Sequence, residues 1–210
     1  MKRRCLFVRY LDKVLVPLCG VLVVLFLNGC ILGKQATRLP DSQLPAISSS
    51  LEPGLRVYYR YGFYRHLNQM ASDEIMLSEG IPGPPVALLN HQFNKGEVFD
   101  SGENRGVGVF FSGYLKMDTP GTYRFQAMAN DGIRVIVHQE RVVFDPSFHS
   151  DRLSGIGEMM IAKPKWYPIT VKYFQRKGTA RLELFWQPPG SDGFEIIPAH
   201  AYGHVKADTQ

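Results

Sequence analysis

The sequence predicts an all-β domain, an antiparallel β-sandwich or barrel of about eight to ten strands with minor short helices. Three observations carry that expectation. Residues from Val107 to Asp145 alternate apolar and polar with a period of two, the signature of half-buried antiparallel strands. Turn dipeptides, Pro120-Gly121 and Asp131-Gly132, interrupt the alternation where the chain must reverse, because proline presets φ and glycine accepts positive φ. The same alternation returns between Ile169 and Gln187, around Lys177-Gly178. Apolar residues make up 45% of the 210, enough for a core and too many for a disordered chain.

Taken in order, the chain starts with a basic stretch, Met1 to Lys13, followed by an apolar run from Val14 to Leu27. A membrane-spanning helix needs about 20 residues, so this shorter run suits a secretory leader over residues 1–29. It ends in Leu27-Asn28-Gly29-Cys30, which resembles the bacterial lipobox, with Asn28 a less usual choice. That resemblance implies cleavage before Cys30, diacylglycerol on its thiol, and an acyl chain such as palmitate on the new amino group. The other reading is a cysteine that happens to follow an ordinary signal or an uncleaved anchor. Cys5 and Cys19 would leave with the leader, and lipidation then accounts for a lone thiol in an exported chain. With Ile31 rather than Asp after the cysteine, the expected location is the cell envelope, at the outer membrane where the host has two membranes.

Residues 30–52 carry Pro40, Pro45 and three consecutive serines with no periodicity, and read as a lipidated N-terminus and flexible tether. Its reach is on the order of 25 Å. The domain is expected over residues 53–203, with a short tail over 204–210. Leu55 to Tyr61 reads as a strand and Phe63 to Met70 as a short helical turn. Ala71 to Asn104 is polar and broken by Gly80, Pro82, Gly83, Pro84 and Pro85, so loops with one or two short strands are expected. In the central stretch Val107, Val109, Phe111, Leu115 and Met117 share one parity. Tyr123, Phe125, Ala127 and Ala129 share another, and Ile133, Val135 and Val137 a third. Pro146 to Ile156 reads as a long loop and Glu158 to Ala162 as a short strand. Ile169 to Arg176 and Thr179 to Gln187 are expected to form a hairpin. Phe174 and Phe185, on its otherwise polar face, suggest cover on both sides. Glu195 to Ile197 can close the sheet.

The net charge is +5, but five basic residues and one acidic residue precede Cys30. From Cys30 onward 19 basic residues face 18 acidic ones. The folded part therefore lacks the basic excess that a nucleic-acid interface requires.

The order of motifs resembles the protective-antigen fourteen-kilodalton domain family, a β-rich module of bacterial toxins, glycosidases and yeast flocculation adhesins. The match runs through PGLRVYY (53–59), GYLKMDTPGTYRF (113–125), NDGIRVIV (130–137) and VVFD (142–145). It continues through WYPITVKYF (166–174), GTARLELFW (178–186), Pro188-Pro189-Gly190 and Ile197-Pro198, so it spans residues 53 to 203. The resemblance implies a noncatalytic role, since in family glycosidases the module is an accessory insert. It also implies a calcium site: in the sugar-binding branch two adjacent aspartates, joined by a cis peptide, hold an ion that meets glycan hydroxyls. Asn130 and Asp131 occupy those positions here, with one negative charge fewer. The second binding loop falls at Gln175 to Gly178, where Arg176 and Lys177 would repel the ion. Read without the resemblance, Asn130-Asp131-Gly132 is a plain turn whose residues tolerate left-handed backbone.

Other chemistry has weaker support. His91, His138 and His149 lack metal-ligand spacing. Asp131, Asp145, Asp151 and Glu158 supply carboxylates for glycoside hydrolysis, but such enzymes usually need a larger scaffold. Trp166 and Trp186 are candidates for stacking on sugar rings or for the core. The site residues expected to bind a ligand are Asn130, Asp131, Gln175 and Trp186, with calcium at Asn130 and Asp131 and lipid at Cys30. The functional expectation is a noncatalytic, membrane-anchored envelope lipoprotein that binds a glycan, with calcium assisting. The alternative is a structural or assembly lipoprotein that docks a protein partner through the same domain.

Overall fold

The computed structural model describes residues 51–206. The leader, Cys30 and the tether up to Ser50 lie outside the described residues, as do residues 207–210. The strands are β1 (Leu51–Pro53), β2 (Leu55–Tyr61), β3 (Ile81–Val86), β4 (Asn90–Asn94), β5 (Val107–Met117), β6 (Gly121–Asn130) and β7 (Ile133–Val137). They continue with β8 (Glu140–Asp145), β9 (Arg152–Leu153), β10 (Gly157–Ile161), β11 (Lys165–Gln175), β12 (Ala180–Gln187), β13 (Glu195–Ile196) and β14 (Tyr202–Val205). One helix, α1 (Asp73–Glu79), and two 3-10 turns at Leu67–Gln69 and Ala199–Ala201 complete the described elements.

Two antiparallel sheets face each other. The larger runs β1-β14-β5-β11-β7-β8, with β2 also on β5 and β3 on β2. The smaller runs β10-β6-β12-β13, with β4 on β12 and β9 on β6. The core lies between them, and the parity expected from the sequence sets its composition. Val107, Val109, Phe111, Leu115 and Met117 of β5 are buried with Tyr123, Phe125, Ala127 and Ala129 of β6 and Ile133, Val135 and Val137 of β7. Each large apolar side chain buried this way contributes about 1.5–3 kcal/mol.

Strand pairing departs from the expected hairpin. β11 and β12 do not pair: β11 lies between β5 and β7, and β12 lies on β6, β4 and β13 in the other sheet. The turn at Lys177-Gly178 therefore crosses the sandwich. The turns after β5 and β6 also cross, and in the central stretch only β7 and β8 are successive strands that pair. A period of two states which side of a strand faces the core; it does not state which strand supplies the hydrogen bonds.

A second apolar cluster covers the outer face of the larger sheet. Phe110 and Phe174 pack there against Leu67, Met70 and Met76, with Tyr58 and Tyr64 alongside. The cover expected over Phe174 is thus the segment from the Leu67 turn to α1. That helix was expected to be loop. Its seven residues are too few for a periodic signal, and it is held by its ends. The Ser72 hydroxyl accepts the Ile75 N–H at 3.4 Å, Asp73 and Glu74 occupy the first turn, and Met76 is buried. Lys172, 4% exposed on β11, reaches Asp73 Oδ1 at 2.6 Å and donates to the Ala71 carbonyl at 2.8 Å. Arg134 bonds the other Asp73 oxygen.

The first strand starts at Leu51, ahead of the boundary expected at Pro53. Leu51 pairs with Val205 and Glu52 with His204, so β14 also takes in the first residues of the expected tail.

Candidate functional site

At one end of the sandwich β6 finishes at Asn130 and β7 begins at Ile133. The Asn130–Asp131 peptide bond between them is cis, the geometry the resemblance implies for this pair. The next residue must be glycine: a Cβ on Gly132 would lie 2.6 Å from the Phe174 ring and 2.8 Å from the Pro146 carbonyl oxygen. That close approach brings three chain segments together.

Asp131 joins them. Its Oδ1 accepts the His149 N–H at 3.1 Å and its Oδ2 accepts the Arg176 N–H at 2.7 Å. Its own N–H donates to the Phe174 carbonyl at 3.2 Å. At 4% exposure the carboxylate is buried, and burial pushes its pKa up, opposed by those two backbone donors and by the nearby His149 and Arg176. Asn130 is also buried. Its Nδ2 donates to Asp151 Oδ1 at 2.8 Å and to Thr179 Oγ1 at 3.2 Å, and its carbonyl accepts the Tyr173 hydroxyl. Burial holds that phenol well above its ordinary range.

Asp151 extends the network. Arg181, opposite Asn130 in the β12–β6 register, donates to Asp151 Oδ2 at 3.4 Å and to Glu183 Oε2 at 2.8 Å. Gln92 holds the other Glu183 oxygen at 2.9 Å. Nearby, Asp145 accepts Arg152 Nε at 2.7 Å and lies 3.2 Å from His149 Nε2. The rim thus presents a carboxylate, an exposed hydroxyl and a guanidinium, held by a buried amide and a buried carboxylate.

The expected site residues separate into two groups. Asn130, Asp131 and Gln175 come together. Gln175 is fully buried, its Nε2 donates to the Thr179 carbonyl at 3.0 Å, and its Oε1 has no partner among the described residues. Trp186 does not join them. It sits five positions along β12 from Arg181, about 16 Å at strand rise. It packs on Tyr123 and donates its indole N–H to Glu195 at 3.0 Å. At 7% exposure it belongs to the core and has no face to offer a sugar. Trp166 is half-buried on β11. His91 stacks on Phe93, His138 meets the edge of Tyr167, and Glu158 pairs with Arg124, each apart from the others.

The sequence reading marked Asp151 only as a hydrolytic carboxylate and missed Thr179 and Arg181. The signal available was the alternation of β12, which places Arg181 on the face opposite the core.

Asn130 and Asp131 alone supply only part of a calcium donor set. Ca²⁺ takes six to eight oxygens. Asp131 spends a lone pair of each oxygen on a backbone N–H, Asp151 is held by Asn130 and Arg181, and Arg176 and Lys177 add positive charge to the facing loop. Among the described residues, no three or more of His, Cys, Asp and Glu gather where they could hold a metal ion.

A family model for the PA14 domain matches residues 90–199. No curated protein matches the chain. Among solved structures, the PA14 domain of the MpAFP antifreeze protein aligns with a TM-score of 0.62 at 15% identity, covering 77% of this chain and 96% of that one. An anti-sigma factor domain-containing protein aligns at 0.60 and 19% identity, covering 76% of this chain, which spans only about half (51%) of that one. The Epithelial Adhesin 6 A domain from Candida glabrata, solved in complex with Galb1-3GlcNAc, aligns at 0.54 and 12% identity, covering 77% and 91%. At these identities the likeness establishes the fold alone.

Proposed function

The chain belongs to the PA14 domain family, and from that membership we propose that it is a noncatalytic envelope lipoprotein whose β domain binds a carbohydrate at the Asn130–Asp131 rim. The observation that carries this reading is the Asn130 network. One buried amide orients Asp151 and Thr179, and Arg181 completes the arc. Sugar hydroxyls are read by such preorganised donors and acceptors, which lose little freedom on binding. The adhesin domain solved with Galb1-3GlcNAc shares the fold and adds to the support. Calcium has no part in this reading.

No bond-breaking is assigned to the rim. A glycoside hydrolase needs two carboxyl groups free to act as acid and as base or nucleophile. Here Asp131, Asp145 and Asp151 each spend their oxygens on internal donors. For the anchor, we propose that Cys30 carries the lipid and holds the domain at the envelope, in the outer membrane of a host with two. The support is the Leu27-Asn28-Gly29-Cys30 pattern and the short apolar run before it.

The test is a glycan array probed with the full lipidated chain in nonionic detergent, beside its Asn130→Ala variant. Binding to a defined glycan class that the variant loses while staying folded supports the reading. An array blank for the wild type contradicts it.

A second reading, docking of a protein partner, has its own observation. Met160 is 67% exposed on β10 at the margin of the smaller sheet, and Leu153 and Ile156 are exposed farther along the same margin. Loss of a partner by Met160→Asp, with no glycan bound, would favour it.

A further inference from the structure

We propose that the carbohydrate read at this rim is acidic, and that its carboxylate or phosphate is received by Arg65, Arg176 and Lys177 around the Phe148 ring. This rests on the carbohydrate reading above and adds the class of ligand.

The first support is a balance of charge. The acids of this rim are already answered from within: Asp145 by Arg152 and His149, Asp151 and Glu183 by Arg181, and Asp131 first by two backbone N–H groups and then by the nearby His149 and Arg176. Arg65, Arg176 and Lys177 enter no ion pair among the described residues.

The second support is geometry. Arg65 and Arg176 each hold their guanidinium 5.7 Å from the centroid of the Phe148 ring. The backbone that carries the ring is held, since the Phe148 N–H donates to the Arg65 carbonyl at 3.0 Å. The next N–H, of His149, is bound to Asp131, which also binds the backbone of Arg176. The two cations therefore belong to one framework, and cation–π contact steadies both without neutralising either. Phe148 remains 51% exposed and leaves apolar surface for the C–H face of a sugar.

The third support is chemical fit. Arg65 is exposed and Arg176 half-buried, and a guanidinium fork fits a carboxylate or phosphate in two-point contact. Lys177, exposed on the Gly178 turn next to Arg176, adds a third charge.

The test measures affinity of the full chain, in a nonionic polyoxyethylene detergent, for two matched pairs of probes. One is an oligogalacturonate and its methyl ester; the other is a phosphorylated mannose oligosaccharide and its unphosphorylated form. The expected result is that at least one acidic probe binds about tenfold or more tighter than its neutral partner. That preference should weaken with salt and disappear in Arg65→Ala/Arg176→Ala, whose unfolding transition is checked alongside. Arg176→Lys should restore only part of it. Equal binding within both pairs overturns the acidic assignment and leaves the carbohydrate reading standing. Failure of all four probes, together with a blank array, overturns both. Binding to phosphatidylglycerol vesicles without preference for either acidic probe also overturns the assignment and points to a lipid surface.

Discussion

Asp131 and Arg176 meet at 2.7 Å through the arginine's backbone N–H, not through its side chain. The guanidinium lies instead by Phe148. This one contact divides the labour at the rim: the carboxylate is an internal clasp for two loops, and the cation is left to face a ligand.

If Asp131 is a clasp, removing it strands two backbone donors. Asp131→Ala is predicted to cost about 2–4 kcal/mol, read as a lower urea midpoint. Stability unchanged within about 0.5 kcal/mol would mean the loops are held by other contacts.

The ion cluster under α1 makes a separate prediction. Asp73→Ala leaves Lys172 and Arg134 without their shared acceptor, at a cost of about 3 kcal/mol by denaturant unfolding. Adding Lys172→Met should recover part of that loss, because a buried unpaired ammonium costs more than a thioether. No recovery in the double variant would show that the pair is not what fixes the helix.

These two predictions rest on features of unequal legibility. The alternation of Val107, Val109 and Phe111, and of Tyr123, Phe125 and Ala127, was open to reading because burial on one face imposes period two. The sheet to which each strand belongs was not, because Lys177-Gly178 serves a crossover as well as a hairpin. α1 was hidden by its length. At the site, the Asn130-Asp131 pair and Gln175 could be marked in advance. The Asp131 bonds to His149 and Arg176 could not, since they join backbone groups 18 and 45 residues away. Trp186 was marked as a ligand platform for its indole, although the alternation of β12 puts it on the core parity of Leu182 and Leu184.

The buried phenols set an alkaline limit. Burial pushes Tyr59 up to about 12 and Tyr202 further, so both stay neutral in the fold after ordinary tyrosines have ionised. Folded values above unfolded ones mean their contribution is complete below about pH 10 and is lost as pH rises through about 12. Phenolate absorbance should therefore appear in two stages, the later one coinciding with unfolding. A single titration near pH 10 with the fold intact would contradict this.

The anchor is tested in cells. Cys30→Ala is predicted to move the protein from the membrane fraction to the soluble fraction and to abolish labelling by a fatty-acid analogue. Retention in the membrane without label would refute lipidation as the means of attachment.

Calcium provides a further test. Titrating Ca²⁺ into the full chain should release no heat above dilution, and a chelator should leave glycan binding unchanged. A saturable signal lost in Asn130→Ala would reinstate the ion.

The most direct measurement is calorimetric affinity of the full chain for one array-positive glycan, compared across Asn130→Ala, Thr179→Ala and Met160→Ala. Loss of about tenfold or more in the first two, with Met160→Ala unchanged, is the predicted result. Undiminished affinity in Asn130→Ala and Thr179→Ala, or loss only in Met160→Ala, would contradict a carbohydrate site at this rim.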